Sequence, residues 1–148
     1  MTIFSCSHQN TEKHNAINLK PKKEVWNAGP NFNVDSAYIF IEKQVLFGPR
    51  IPNTAKHAAC GDWLVEKLNS YQLKTSEQIG EVTAFNMSKL PIRNISGIYN
   101  PNANKKVLLC AHWDTRPFAD RDSVNKNKPI LGANDGASGV GVSVSYTH

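Results

Sequence analysis

The feature that most constrains the fold is an unbroken apolar run at residues 107–111 (VLLCA). A strand with one face in water alternates apolar and polar side chains, whereas a strand covered on both faces does not. The run therefore predicts a strand in the middle of a sheet that helices cover. Residues 82–85 and 93–99 also have strand character, and residues 100–104 (NPNAN) have the composition of a hairpin-type turn. The sequence predicts an α/β fold.

Two helices are predicted before these strands. The first spans residues 35–47, where apolar side chains recur at steps of three and four, and Asp35 or Ser36 is expected to be its N-cap. The second runs from the N-cap candidate Thr54 to Ser70 and carries an apolar stripe. A proline-rich segment between them predicts a fixed loop.

Composition excludes several classes of protein. A chain of 148 residues is long enough for one domain that buries roughly two-thirds of its unfolded surface. The net charge is +5, but the basic residues are dispersed, which argues against nucleic-acid binding. The three cysteines show no CxxC spacing, so neither a structural zinc site nor a disulfide framework is indicated.

Residues 1–33 are predicted to be a polar lead-in or tether, because they lack sustained periodicity. Within them, Ser5 and Cys6 resemble the end of a bacterial lipoprotein signal, where a small residue precedes the lipidated cysteine. The charged and long apolar regions of a signal peptide are missing. Two interpretations stay open: an ordinary N-terminus with a free thiol, or an exported protein that a lipid on Cys6 anchors to a membrane in the periplasm.

Polar side chains follow the apolar run where the predicted strand ends. In extended chain, His112 and Asp114 lie on the same side of that strand, at its carboxyl end, where open α/β sheets bind ligands. Asp135 lies between Asn134 and Gly136, with no basic residue close in sequence. A buried carboxylate is costly unless a cation or hydrogen bonds satisfy it. Imidazole and carboxylate from two loops suit zinc, with Asp114 orienting the imidazole.

Each of these residues also has a structural explanation. A His-x-Asp pair is commonly a hydrogen-bonded pair, and an aspartate before glycine is usually a turn residue. Asp120 and Asp122, which flank Arg121, are expected to form solvated ion pairs. His57 is expected at the surface or in a helix cap and not as a ligand. Trp113 can wall a pocket beside the candidate ligands or pack in the core.

Four separated motifs together resemble the amino-terminal half of the bacterial glutaminyl cyclases, a branch of the zinc-dependent aminopeptidase family. In order, the motifs are residues 47–54 (FGPRIPNT), 60–64 (CGDWL), 108–117 (LLCAHWDTRP) and 132–140 (GANDGASGV). The resemblance implies that residues 34–142 form the amino-terminal part of a zinc-exopeptidase-like mixed sheet covered by helices, truncated by the end of the chain.

The resemblance also implies roles for individual residues. The counterpart of Asp135 binds zinc, bridging two ions in the aminopeptidases and holding one in the cyclases. The counterpart of His112 is a ligand in the two-zinc aminopeptidases and generally not in the cyclases, while that of Asp114 supports the site. The family's catalytic glutamate lies downstream of the glycine-rich segment, so no catalytic residue is expected in this chain. Residues 143–148 are expected to be a divergent tail, because the sequence from residue 142 onward favours helix poorly.

The implied activity is that of a zinc-dependent acyltransferase, a cyclotransferase that converts the N-terminal glutamine of peptides or proteins to pyroglutamate and releases ammonia. A zinc-dependent aminopeptidase is the alternative enzyme, and a non-catalytic, lipid-anchored peptide-binding module is the alternative from another class. Zinc needs about three or four protein ligands. Since Asp135 and His112 supply two at most, the chain alone is expected neither to bind zinc tightly nor to turn over substrate.

Overall fold

A computed structural model describes residues 32–146. Cys6 and nearly all of the predicted tether lie outside these residues, as do Thr147 and His148. Among the described residues, no helix is long and apolar enough to cross a membrane. The elements, in chain order, are α1 (Val34–Leu46), α2 (Ala55–Ser70), β1 (Lys74–Thr83), β2 (Lys89–Ile98), a kinked turn (Ala133–Ala137) and α3 (Ser138–Ser145).

The two predicted helices are present, and their caps explain where they begin. The Thr54 hydroxyl accepts a hydrogen bond from the backbone N–H of His57 at 3.2 Å, so the predicted N-cap of α2 is confirmed. The predicted cap of α1 at Asp35 or Ser36 is wrong. Asn33 caps this helix instead, because its side-chain oxygen accepts from the backbone N–H of Ser36 at 2.9 Å.

The sheet is a two-stranded antiparallel hairpin. Lys74 pairs with Ile98 at its open end and Thr83 with Lys89 at its closed end. The hairpin turn is therefore at residues 84–88, and the predicted turn at residues 100–104 instead follows β2. The beginning of β1 escaped prediction because residues 74–81 (KTSEQIGE) are mostly polar and exposed, so no buried face imposed alternation on them.

The apolar run at residues 107–111 differs most from its prediction. No strand among the described residues pairs with it, and Val107 and Leu108 are 87% and 84% exposed. The described part of the chain is α/β, as predicted. The prediction that residues 107–111 form a buried central strand of a covered sheet is wrong for the described residues, because no strand among them lies beside this run and buries it.

The core lies between the helices and the segment that follows the apolar run. Its buried cluster consists of Phe40, Cys60, Leu64, Trp113, Val140 and Val144. Full burial of such apolar side chains contributes about 1.5–3 kcal/mol each. Val140 and Val144 belong to α3, which continues to Ser145 although residues 142–145 were predicted to favour helix poorly. The weak propensity does not prevent the helix, because packing of the apolar face outweighs it.

Candidate functional site

Trp113 fixes the orientation of the polar segment that follows the apolar run. Its ring is buried and stacks on the ring of His57, with the centroids 4.1 Å apart. Its indole N–H donates to the Arg93 carbonyl at 3.3 Å. The flanking side chains of His112 and Asp114 are 55% and 47% exposed. Burial of the residue between them thus leaves both of these side chains accessible.

These contacts show where Trp113 and His57 lie. Trp113 packs in the core and is not among the residues that line the depression beside the candidate ligands, and its role as a pocket wall stays a prediction. His57 is buried and not at the surface, because the Trp113 ring covers it. Burial lowers the pKa of His57, with Arg93 contributing in the same direction and the Asp114 carboxylate opposing both.

Two glycines with positive φ shape the turn that carries Asp135. Gly132 has φ 62° and Gly136 has φ 108°, a backbone region that L side chains rarely adopt. A Cβ on Gly136 would lie 2.9 Å from the carbonyl oxygen of His112 and 3.0 Å from its Cε1. The absence of a side chain at residue 136 therefore lets the turn approach the backbone and ring of His112.

The approach brings the three predicted site residues together. Nε2 of His112 lies 3.0 Å from Oδ1 of Asp135. On the other side of the ring, Nδ1 lies 3.1 Å from the backbone oxygen of Asp114 and 3.5 Å from its Oδ1. The imidazole therefore contacts oxygen atoms through both nitrogens, with Asp114 behind it and Asp135 in front.

Arg116 is a cationic partner of Asp135 that the sequence did not predict. Its Nη2 lies 3.5 Å from Oδ2 of Asp135, while its Nη1 donates to Oδ1 of Asp120 at 2.5 Å. The Asp135 side chain is also 51% exposed. The premise of a buried carboxylate without a partner is therefore wrong, because folding brings in a cation that is distant in sequence and water reaches the group.

Of the other two loop acids, only Asp120 forms the predicted ion pair; for Asp122 the prediction is wrong, because backbone N–H groups satisfy its carboxylate. Asp120 forms an exposed ion pair with Arg116. Asp122 accepts backbone hydrogen bonds from Asn125 and Val124, which lower the pKa of its carboxyl group. Asp122 is thus a turn residue and contacts none of the three candidate site residues.

The His112–Asp135 pair lies in an open depression of about 200 Å³, lined by Ala111, His112, Asn134, Asp135, Gly136, Ser138 and Gly139. Its imidazole and carboxylate match zinc in chemical type. They do not match it in number, since no group of three or more His, Cys, Asp or Glu side chains in residues 32–146 is arranged to hold a metal. Among the described residues, His112 and Asp135 therefore supply at most two candidate ligands.

Arg50 is the residue near the site that sequence reasoning missed. Its side chain is fully buried and donates to the carbonyl oxygens of Trp113 and Leu131, each at 2.8 Å. Burial lowers the pKa of its guanidinium, against smaller opposing effects of Cys60 and Asp114. The signal available in the sequence was its place in a proline-fixed loop, which holds a long side chain in one direction.

The two described cysteines are free thiols in different environments. Cys60 is fully buried in the core, and burial raises its pKa to about 11. Cys110 is exposed, two residues before His112. Neither is positioned as a ligand of a metal cluster among the described residues.

Part of the chain matches a known protein family. The model of peptidase family M28 matches residues 94–147, which include all three candidate site residues and α3. Because this match extends to residue 147, it includes most of the segment that was expected to be a divergent tail. A comparison with curated proteins found no match.

Several solved structures are similar to the chain. A Bacteroides thetaiotaomicron glutaminyl cyclase bound to N-acetylhistamine is 48% identical, with a TM-score of 0.77 over 81% of this chain and 42% of that one. A leucine aminopeptidase precursor from the same organism is 48% identical, with a TM-score of 0.76 over 80% and 41%. A Zn-dependent exopeptidase from Parabacteroides distasonis is 47% identical, with a TM-score of 0.77 over 81% and 42%. The chain thus spans less than half the length of these relatives.

Proposed function

Since the model of peptidase family M28 matches residues 94–147, we propose that this chain belongs to that family and carries part of the active site of a zinc-dependent glutaminyl cyclase. The substrate would be a peptide or protein with an N-terminal glutamine, and the products pyroglutamate and ammonia. The observation that carries the proposal is that His112 and Asp135 meet in one open depression while Asp114 contacts the other nitrogen of the His112 ring. The 48% identity to a glutaminyl cyclase supports the choice of reaction.

The three residues would have different tasks. Asp135 would hold zinc, with His112 as the second candidate ligand. Asp114 contacts Nδ1 of His112, 3.5 Å from its carboxylate, and would keep the ring oriented. Zinc, when bound, supplies a Lewis acid that polarises the side-chain amide carbonyl of glutamine.

The depression suits a substrate that reacts within its own first residue. In cyclisation the α-amino nitrogen bonds to the side-chain carbonyl carbon, the bond from that carbon to the amide nitrogen breaks, and ammonia leaves. Holding the amine against the carbonyl removes much of the entropic barrier. The lining residues Ala111, Gly136 and Gly139 have small side chains or none, which leaves room for the glutamine residue.

Proton transfer from the amine to the departing nitrogen needs a further acid–base group. Asp135 is already paired with His112 and Arg116, and Asp114 contacts His112. Neither carboxylate is therefore assigned this task. We therefore infer that the acid–base group lies outside residues 32–146.

Hydrolysis of the first peptide bond is the second candidate reaction. The observation that favours it is the similarity to a leucine aminopeptidase precursor over 80% of this chain. Both reactions would begin with a peptide N-terminus in the same depression. They differ in their products, because hydrolysis shortens the peptide and cyclisation does not.

A chimaera tests the proposal. Residues 32–142 of this chain would replace the matching segment of the B. thetaiotaomicron glutaminyl cyclase, and mass spectrometry would follow peptides beginning with glutamine or leucine. We expect loss of ammonia without shortening, abolished by Asp135→Asn and retained in the matched control Asp122→Asn. A folded, zinc-loaded chimaera that leaves the glutamine peptide intact contradicts the cyclase proposal, and one that shortens the leucine peptide establishes the alternative.

We also propose, on the sequence alone, that Cys6 is a lipid-attachment site and that the protein is exported. Cys6 lies outside the described residues. Labelling of expressing bacteria with a fatty-acid analogue, compared between the unmodified chain and Cys6→Ser, tests this proposal.

The non-catalytic binding module is tested separately. Peptide affinity that needs no metal and is unchanged by Asp135→Asn would support that module over the enzyme.

A further inference from the structure

We propose that Arg50 is a positioning residue that fixes the separation of the two segments carrying His112 and Asp135. This role rests on the proposed function, since it concerns the same site. The Arg50 side chain is fully buried and donates only to backbone carbonyl oxygens. None of these hydrogen bonds ends on His112 or Asp135, so Arg50 would act through the backbone beside them.

The guanidinium joins the two segments directly. Its Nε donates to the Trp113 carbonyl at 2.8 Å, which lies in the chain between His112 and Asp114. Its Nη1 donates to the Leu131 carbonyl at 2.8 Å and its Nη2 to the Gly132 carbonyl at 3.0 Å, just before the kinked turn. One planar group thus spans both segments with three short hydrogen bonds.

The same residue is also held from its other side. Nη1 reaches the carbonyl oxygens of Gln44 at 3.1 Å and Gly48 at 3.3 Å, and the Arg50 carbonyl accepts from the Thr115 N–H at 3.1 Å. Residues 113–115 therefore contact both the side chain and the backbone of Arg50. The end of α1 serves as the fixed support.

Only an arginine can make this set of contacts. Among the described residues, no carboxylate lies within ion-pair distance of Arg50, so its hydrogen-bond partners are carbonyl oxygens, and Asp114 contributes only a smaller electrostatic effect. Arginine presents five N–H donors in a rigid planar fork, whereas lysine concentrates three donors on one nitrogen. A lysine at position 50 would keep the charge and lose the bridge.

Gln44 holds the other end of the kinked turn. Its side-chain amide donates to the carbonyl oxygens of Phe40 at 2.9 Å and Ala137 at 3.1 Å. Arg50 binds the carbonyl of Gly132 at one end of the turn, and Gln44 binds the carbonyl of Ala137 at the other end. Asp135 therefore lies between two buried attachments. Loss of the Arg50 bridge would free the end of the turn that is tied to residues 113–115.

The test compares Arg50→Lys with a destabilising core control, Leu64→Ala, which removes no hydrogen bond of the bridge. The first readout is the NMR nuclear Overhauser effect between the ring Hε1 of His112 and Hα of Gly136. The second readout is the affinity for Co²⁺, measured by visible absorption. We expect Arg50→Lys to lose the Overhauser effect and to bind Co²⁺ at least about tenfold more weakly, the range found for residues that support metal ligands indirectly. Leu64→Ala should keep both properties at a temperature where it is folded.

The outcomes separate this inference from the proposed function. If the unmodified chain shows the Overhauser effect but binds no Co²⁺, the proposed metal site is contradicted. The positioning role of Arg50 is then decided by whether Arg50→Lys loses the Overhauser effect. A folded Arg50→Lys chain that retains both readouts overturns the positioning role. If Arg50→Lys does not fold, exchange of the guanidinium N–H protons decides the question in the unmodified chain. Slow exchange at Arg50 supports the bridge, and exchange as fast as at the exposed Arg121 refutes it.

Discussion

Nε2 of His112 lies 3.0 Å from Oδ1 of Asp135, although 23 positions separate the two residues in the chain. This contact joins the segment after the apolar run to the glycine-rich turn. It places one imidazole and one carboxylate in an open depression, where a divalent cation would compete with the His112 ring and with Arg116 for the carboxylate.

The chain should bind zinc weakly. Zinc sites use about three or four protein ligands, and His112 with Asp135 provides two. Titration against a chelator of known affinity should show an ion that the chelator removes easily. Asp135→Asn should weaken binding further, and Asp122→Asn, an identical change in an exposed turn, should not. A tightly held stoichiometric ion would show that the ligand set is larger than the described pair.

Replacing Gly136 by alanine should separate the two segments. Gly136 has φ 108°, and a Cβ there would lie 2.9 Å from the carbonyl oxygen of His112. Backbone strain of this kind costs about 1–3 kcal/mol, before the steric overlap is counted. Chemical denaturation should show the corresponding decrease in the free energy of unfolding. Gly80→Ala is the matched control, because a Cβ at Gly80 meets no atom within 4 Å; equal costs for the two variants would contradict this account.

Acidification should destabilise the protein through His57. Burial holds the pKa of His57 below its ordinary value of 6.5 in the folded chain. As the pH falls below 6.5, the unfolded chain binds a proton that the folded chain does not, so the free energy of unfolding decreases until the folded pKa is passed. Denaturation between pH 7.5 and 5.5 should show a shallower decrease in His57→Phe, which keeps an aromatic ring against Trp113. Identical slopes would mean that other groups cause the decrease.

The two described thiols should differ in reactivity. Cys60 is buried with a pKa of about 11, whereas Cys110 is exposed. Since the thiolate is the reactive form, iodoacetamide at pH 8 should modify Cys110 and spare Cys60. Peptide mapping by mass spectrometry identifies the sites, and denaturant should abolish the difference. Modification of Cys60 in the folded chain at the rate of Cys110 would show that the core is open.

Leu108 should be nearly neutral to substitution in this chain. Its side chain is 84% exposed, and surface changes usually alter the free energy of unfolding by less than about 0.5 kcal/mol. Leu64→Ala in the buried core should instead cost about 2–5 kcal/mol. Denaturation of Leu108→Ser beside Leu64→Ala provides the comparison. A cost for Leu108→Ser similar to that of the core change would show that the apolar run is buried in solution.

Local signals in the sequence predicted α2 and two residues of the site. The Thr54 cap depends on contacts within one turn, and His112 with Asp114 depends on alternation over three residues. Asp135 stands out because no basic residue is close to it in sequence, a premise that Arg116 overturns, so its assignment depends on the resemblance to the family. The Thr54 cap and the His112–Asp114 pair are short-range features, so the sequence contains enough information to predict them.

The features that the sequence did not predict depend on contacts between distant parts of the chain. Arg116 reaches Asp135 and the Trp113 ring buries His57 only after folding brings their segments together. Helix α3 extends through residues with weak propensity because Val144 packs in the core. The apolar run predicts a sheet interior because it lacks alternation, and this local pattern does not specify which strand lies beside it.

The hydrogen bonds that Arg50 donates end on main-chain oxygen atoms, and this has a consequence for how the site can evolve. The carbonyl that it reaches at position 131 would be present whatever amino acid stood there. Related proteins can therefore exchange the residue at that position freely while inheriting the same geometry. At position 50 itself no such latitude exists, because the side chain alone spans the gap.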